Sequence, residues 1–320
     1  VGVGRPTGGQ LKGRPPPLRP ADRPTNRIQV GSSPDAWGVW YADDPRQVPW
    51  PRFLDEVARA GYEWIELGPY GYLPTDPIRL ADELAVRGLR VAGQAVRSAL
   101  HQGRDGWRET WPRVAESGAL VQAVGGSHLI LVPGFWRDPW TGAFVEEPDL
   151  TAQQWRDLTG STNRLARQVR DLFGLRLSLH PHAYTHVNNE QAVARFLAAT
   201  DPELVSLCLD TGHYAFCGAD SVQLLENSGE RVGYLHLKQV DPAVLAEVVA
   251  EDEPFATAVA RGVWCEPPHG LPSLEPVLAA ARRIGTDLFA IVEQDMYPCP
   301  ADKPLPIAER TRRRLRSYGV

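Results

Sequence analysis

Four segments in the second half of the chain run from apolar residues into side chains that bind metals or move protons. They are LRLSLHPH (175–182), LVSLCLDTGH (204–213), VGYLHLK (232–238) and LFAIVEQD (288–295). Their C-terminal ends carry His180 and His182, Asp210 and His213, His236 and Lys238, and Glu293 and Asp295. Two imidazoles and two carboxylates (His180, Asp210, His236, Glu293) suit one borderline divalent cation, with Mn2+ first and Co2+, Zn2+ or Mg2+ as alternatives. A lone histidine at a strand end is more often a structural residue. Four separate strand ends each bearing a ligand type are much harder to obtain by chance.

Those residues converge only if the segments are neighbouring parallel strands. Strand residues alternate between faces with a period of two. In 175–180, Leu175, Leu177 and Leu179 share one face, and Arg176, Ser178 and His180 the other. In 204–210, Val205, Leu207 and Leu209 oppose Ser206, Cys208 and Asp210. In 288–293, Leu288, Ala290 and Val292 oppose Phe289, Ile291 and Glu293. The aliphatic rows belong against helices, which leaves the mixed rows to line an interior and to end at its mouth.

Further strands are expected at IQVGSS (28–33), EWIELG (63–68), LRVAGQA (89–95) and HLILV (128–132). Helical patterns fall at 51–61, 76–88, 151–174 and 274–285, several of them stopping at Gly61, Gly88, Gly174 or Gly285, where a helix C-cap is expected. Eight strands alternating with helices predict an α/β fold, a single-domain (β/α)8 TIM barrel over residues 28–320. The catalytic face of such a barrel is its C-terminal one, where the four strand ends lie. An open doubly wound sheet is the rival, but IQVGSSPDAW lacks the glycine-rich turn of a dinucleotide site. Residues 1–27 are rich in Gly, Pro and Arg with little to bury, and are expected to be a disordered tail.

At these residues the chain resembles the sugar isomerase/epimerase superfamily built on the xylose isomerase-like barrel, and within it the inosose (keto-inositol) dehydratase-like branch. The resemblance rests on SPDAWGVW (33–40), GYEWIELGPYGYLPTDP (61–77), SLHPHAYTHV (178–187), LCLDTGHYAFCGAD (207–220), YLHLKQVDP (234–242) and AIVEQD (290–295). It implies one divalent metal at the ends of strands five to eight, with Asp210, His236 and Glu293 matching three of the four usual ligands. The fourth is usually a glutamate, and here His180 takes its place. That departure weakens a symmetric two-carboxylate epimerisation and favours one-base isomerisation or an elimination.

The chemistry implied is proton abstraction next to a carbonyl of a sugar or inositol-type substrate, with the metal stabilising the developing enediolate. Glu293 is either the base or only a ligand. His182 is either a general acid, by its near-neutral intrinsic pKa, or a partner of a backbone carbonyl. His213 is expected near the metal, as a substrate contact or a support. Lys238, one of only three lysines beside Lys12 and Lys303, either binds a substrate oxygen or is a solvated rim residue. Glu66 is a candidate for substrate hydroxyls or for pairing with an arginine. Trp40, with Trp37 and Tyr41, offers an aromatic face to a sugar ring, and His101 and Arg97 are further candidates for reaching the substrate. WCEPPHG (264–270) is either a lid carrying Glu266 or His269, or a solvated proline-rich loop.

Composition narrows the field. Lys+Arg total 34 against 39 Asp+Glu, a net charge of −5, so a broad nucleic-acid footprint is not expected. No apolar run has the length of a membrane span, and no export signal is legible, so a cytoplasmic protein is expected. Four cysteines without a C-x-x-C pair suggest neither a disulfide scaffold nor a thiolate metal site. The leading function is a metal-dependent isomerase or epimerase, followed by an inosose dehydratase using the same site. A trinuclear-zinc apurinic endonuclease lacks ligands in the early strands, and a non-catalytic sugar-binding barrel would not need Asp210, His236 and Glu293 together. CEPPHGLPS makes a poor phosphate loop, which favours an unphosphorylated substrate. The sequence does not set the oligomeric state, although barrels of this kind commonly pair as homodimers.

Overall fold

The computed structural model describes residues 27–320. The expected tail at 1–27 therefore lies outside the described residues, except for Arg27. Eight parallel strands close in sequence order: β1 (Ile28–Ser32), β2 (Trp64–Glu66), β3 (Arg90–Arg97), β4 (His128–Val132), β5 (Arg176–Leu179), β6 (Val205–Asp210), β7 (Val232–Leu237) and β8 (Leu288–Val292). β8 pairs with β1 over all five residues, which closes the barrel without an edge. The (β/α)8 expectation holds, and each expected strand is present with ends shifted by at most three residues.

Each strand buries both faces because helices cover the outside and side chains fill the inside. The aliphatic rows of β5, β6 and β8 join the main core with the helices. Ala92, Ile130, Cys208, Tyr234, Phe289 and Ile291 pack inside the barrel, the alternation expected from the period of two. Below the mouth, the hydroxyls of Ser178 and Ser206 bond to each other at 2.7 Å across the β5–β6 pair. Pairing of Asp210 with His236 and of His236 with Ile291 sets the heights of the last three strand ends.

The helices follow their patterns. α1 (Trp50–Arg59) buries Phe53, Leu54 and Val57. α2 (Pro77–Ala85) starts at Asp76, whose carboxylate accepts from the Arg79 N–H. α3 (Gly103–Ala123) is a long helix outside the named patterns; its buried face mixes Val114, Leu120 and Val121 with the small or polar Gly106, Thr110, Ser117 and Gly118. α4 (Ala152–Phe173) carries a Thr151/Gln154 capping box and ends on Gly174 in the left-handed region. α5 (Glu190–Ala199), α6 (Thr211–Phe216), α7 (Ser221–Ser228), α8 (Pro242–Ala250), α9 (Phe255–Ala260), α10 (Leu274–Arg283) and α11 (Pro304–Ser317) complete the shell. Among the described residues, no helix is long and apolar enough to cross a membrane.

Candidate active site

The last four strands deliver His180, Asp210, His236 and Glu293 to one buried point, where one ligand-type atom from each lies within 4.8 Å of the others. His180 Nδ1 donates to the Pro181 carbonyl at 2.8 Å, so Nε2 bears the lone pair and stands 3.6 Å from Asp210 Oδ2. Asp210 caps α6: Oδ1 accepts the N–H groups of Gly212 and His213 at 2.8 Å each, while Oδ2 faces the site, with Lys238 Nζ at 3.4 Å. His236 Nε2 donates to Glu66 Oε1 at 2.7 Å. Its Nδ1 points toward Glu293 Oε1 at 3.2 Å and Asp210 Oδ2 at 3.7 Å.

Asp210 Oδ2 and His236 Nδ1 are buried and make no hydrogen bond within the protein. Such orphans are costly unless a positive centre completes them. The site therefore fits a cation, with ring orientation already imposed by a backbone carbonyl and a carboxylate. Burial, then the neighbouring His236, lowers the pKa of His180 to about 4, so the ring is neutral. Burial works against charge on His236, but Cys208, Glu293 and Glu66 outweigh it and raise its pKa well above the usual histidine range, so a proton competes for Nδ1 and a cation would displace it. For Glu293, burial acts to raise the pKa, yet His236 and Lys238 hold it down at about 2.

Lys238 is not the solvated rim lysine considered above. It is buried, with Nζ 2.9 Å from both Glu293 Oε2 and Asp295 Oδ2 and 3.4 Å from Asp210 Oδ2. Trp264 lies under the ammonium at 5.1 Å. Burial alone would discharge it; Asp210, Asp295 and Glu293 instead raise its pKa well above the usual lysine range. Gly212 lets its stem pass, since a Cβ there would meet Lys238 Cγ at 2.5 Å. His213 stands 3.2 Å from Lys238 Nζ through Nε2 and accepts the Ala183 N–H on Nδ1. Its ring stacks on His182 with centroids 3.6 Å apart.

Several placements differ from expectation. His182 lies at the cleft, but Nδ1 donates to the Ala183 carbonyl at 2.8 Å, and burial with His180 lowers its pKa well below the usual range. Its free Nε2 is therefore the acceptor atom, and the bond to Ala183 is the backbone-carbonyl partner that the sequence offered beside the general-acid role. Glu66 pairs with His236 through Oε1 rather than with an arginine, and it also borders the cleft, where the expectation of a substrate contact placed it. His101 is buried, does not line the cleft, and turns to Glu146 at 2.7 Å, which corrects its assignment to substrate. Glu266 is held by Arg310 at 2.7 Å, away from the cleft. Trp40 does border the cleft; its Nε1 donates to Asp295 Oδ1 at 3.1 Å, and its ring stacks on Tyr297.

The mouth opens as a cleft of about 660 Å³ with His180, His182, His236, Lys238 and Glu293 in its floor. Trp40, Tyr41, Phe135, Trp140 and Phe255 form much of its wall, a lining suited to the C–H face of a ring bearing hydroxyls. Asp35, not singled out from the sequence, also faces the cleft. Burial first, then Glu293 and Asp295, raises its pKa well above the usual carboxylate range, which favours its protonated form. It sits in the turn Pro34–Trp37, where strand alternation offers no guide to direction.

The sequence profile described as "xylose isomerase-like TIM barrel" matches residues 54–318. The chain belongs to that family. An inosose dehydratase of Geobacillus kaustophilus is 30% identical over 297 residues, 88% of this chain and 91% of the relative. The probable 3-DHS dehydratase AsbF of Bacillus anthracis has the same fold, with a TM-score of 0.67 at 14% identity over 91% of this chain and 99% of that one. The IOLI protein, solved with a zinc atom, has a TM-score of 0.64 at 15% identity over 89% of this chain and 96% of that one. The resemblance seen in the D-T-G-H, H-L-K and V-E-Q-D segments thus holds for the family and for its inosose dehydratase-like branch.

Proposed function

We propose that the chain is a lyase that removes water from a keto-inositol, with a divalent cation held by His180, Asp210, His236 and Glu293. The observation that carries the reading is that Asp210 Oδ2 and His236 Nδ1, buried beneath the cleft beside Glu293 and His180, make no hydrogen bond within the protein. The family's inosose dehydratases, and His180 in place of a second strand-end glutamate, favour elimination over two-base epimerisation. When bound, the cation would polarise the substrate ketone and stabilise negative charge on its oxygen.

The protein's own groups supply the proton traffic. His182 Nε2, with its lone pair exposed to the cleft, accepts the proton from the carbon beside the ketone. The C–H electron pair passes onto the carbonyl oxygen, where the Lys238 ammonium favours the charge. That pair then returns to expel the hydroxyl from the next carbon. Asp35 gives its proton to the departing hydroxyl, which leaves as water. The proton gained by His182 balances the one lost by Asp35, and exchange with solvent resets both. The product is the enol of a diketone. Glu293, held ionised beside Lys238, acts as a ligand rather than the base.

Incubating metal-loaded protein with a keto-inositol in D2O tests this. Ultraviolet absorbance of an enolised dione, with loss of one water by mass, is the expected result, and His182→Gln removes it. Exchange of the α-proton without water loss would overturn the lyase reading and leave the isomerase or epimerase, which needs the same base and cation.

A further inference from the structure

A second group of ligand-type side chains converges among the loops on the same face of the barrel, outside the cleft lining, and no step above uses it. His101, Glu146 and His186 each present one ligand-type atom, all within 4.8 Å of one another. They come from three successive connections: His101 from the turn Leu100–Gln102 after β3, Glu146 from the stretch between β4 and α4, and His186 from the stretch between β5 and α5. Both rings are buried, and their centroids are 4.6 Å apart.

Hydrogen-bond bookkeeping shows what the group lacks. His186 Nδ1 lies 3.1 Å from the Pro148 carbonyl, which only accepts, so Nδ1 carries the hydrogen. His186 Nε2 faces Glu146 Oε2 at 3.2 Å. His101 Nε2 faces that same oxygen at 2.7 Å. Gln102 Nε2 donates to the other carboxylate oxygen, Oε1, at 2.6 Å, which fixes the carboxylate plane. One oxygen is thus shared by two imidazole nitrogens, and His101 Nδ1 is buried without a hydrogen-bond partner.

The backbone is shaped to hold this geometry. Gly134 leaves room for the His101 ring, whose Nδ1 would stand 3.0 Å from a Cβ at that position. The Gly134 carbonyl accepts the N–H of His186 at 3.2 Å. Two imidazoles and one carboxylate form a zinc-type donor set, with a further position for water because Glu146 is partly exposed.

We infer that His101, Glu146 and His186 form a second divalent-cation site, taking Zn2+ in preference to Mg2+ or Ca2+, which clamps the β4–α4 connection to the connections after β3 and β5. Phe135 and Trp140 of that connection wall the cleft, so the clamp fixes the shape of the substrate's enclosure. The inference does not depend on the proposed reaction.

The test counts Co2+, a spectroscopic stand-in for Zn2+, on full-length protein stripped with chelator, desalted and reloaded. His236→Ala disables the barrel-mouth site. This variant is expected to keep about one equivalent of Co2+, with visible d–d absorption that Zn2+ abolishes. His236→Ala/His186→Ala and His236→Ala/Glu146→Ala are expected to keep less than about a tenth of an equivalent while remaining folded by circular dichroism. Co2+ should also slow proteolysis within residues 133–150 only where His186 is present. Absence of bound Co2+ from folded His236→Ala would overturn the inference; so would equal retention by the double variants. If His236→Ala does not fold, the wild type against His186→Ala decides, with two equivalents against one expected and equal counts overturning the site. Failure of the barrel-mouth site alone would show as metal that His186→Ala removes and His236→Ala does not.

Discussion

Replacing Glu66 by glutamine should weaken metal binding about tenfold without touching a proposed ligand. The Glu66 carboxylate accepts from His236 Nε2 at 2.7 Å, and both side chains are at most 2% exposed. A buried hydrogen bond to a charged group contributes roughly 1.5–3 kcal/mol, because neither partner finds water as a substitute. Glutamine keeps an oxygen at nearly the same place but removes the charge, so roughly half of that is lost. About 1.4 kcal/mol is a factor of about ten in the metal dissociation constant. Glu66→Ala removes the acceptor altogether, lets the imidazole rotate or change tautomer, and should approach a hundredfold. Titration of apo-protein with Co2+ or Mn2+ against a chromophoric chelator reads the constant directly, and circular dichroism confirms the fold. Unchanged metal affinity in Glu66→Gln, with a raised KM for a keto-inositol, would refute the reasoning and return Glu66 to the substrate.

Lys238→Met should cost about 3–5 kcal/mol, since it leaves Asp210, Asp295 and Glu293 facing one another in the interior; a thermal melt of apo-protein at neutral pH equal to wild type would contradict this. His128, buried at the start of β4, has its pKa lowered to about 3, by burial first and Arg176 second. Its folded pKa lies below its unfolded value of about 6.5, so the unfolded chain binds the extra proton between the two, and stability falls as pH drops through that window by up to about 1.4 kcal/mol per unit. Urea unfolding at a series of pH values should show a shallower acid limb for His128→Gln; an identical limb would show that the folded state tolerates the charged ring. Trp40→Ala should raise KM about two- to tenfold, with Trp40→Phe closer to wild type, as expected for a ring that meets the substrate's C–H face. A change confined to kcat would place the ring's role in the proton steps instead.

Most of the barrel, and its centre above all, was readable because strand alternation is a local property. Whether Asp210 points inward is decided by Cys208 and Ser206 beside it, and the aliphatic row Val205, Leu207 and Leu209 marks the opposite face unambiguously. The same holds for Glu293 above Phe289 and Ile291. α3 escaped notice for an equally local reason. Its contact face mixes Val114, Leu120 and Val121 with Gly106, Thr110, Ser117 and Gly118, the last so close to the Phe173 ring that a Cβ would meet it at 2.7 Å, so small and polar positions break up the apolar stripe.

What the sequence concealed depends on closure or on irregular chain. Glu66 finds His236 across 170 residues only because β2 and β7 are set around one barrel. The role of His182 turns on one hydrogen bond to the next residue's carbonyl, which decides which ring nitrogen carries the proton and so makes the residue an acceptor. Asp35 and Glu146 lie in segments without periodicity, where no neighbour reports direction. Both metal-type clusters nevertheless share one physical signature. In each, one ring nitrogen is pinned by a carboxylate or a backbone carbonyl while the other faces a carboxylate oxygen. Hydrogen-bond partners of this kind pick out atoms suited to a cation, which residue type and spacing alone cannot do. They distinguish His186, with acceptors on both sides, from His128, whose Nδ1 meets only a hydroxyl able to donate or accept and whose Nε2 meets no partner.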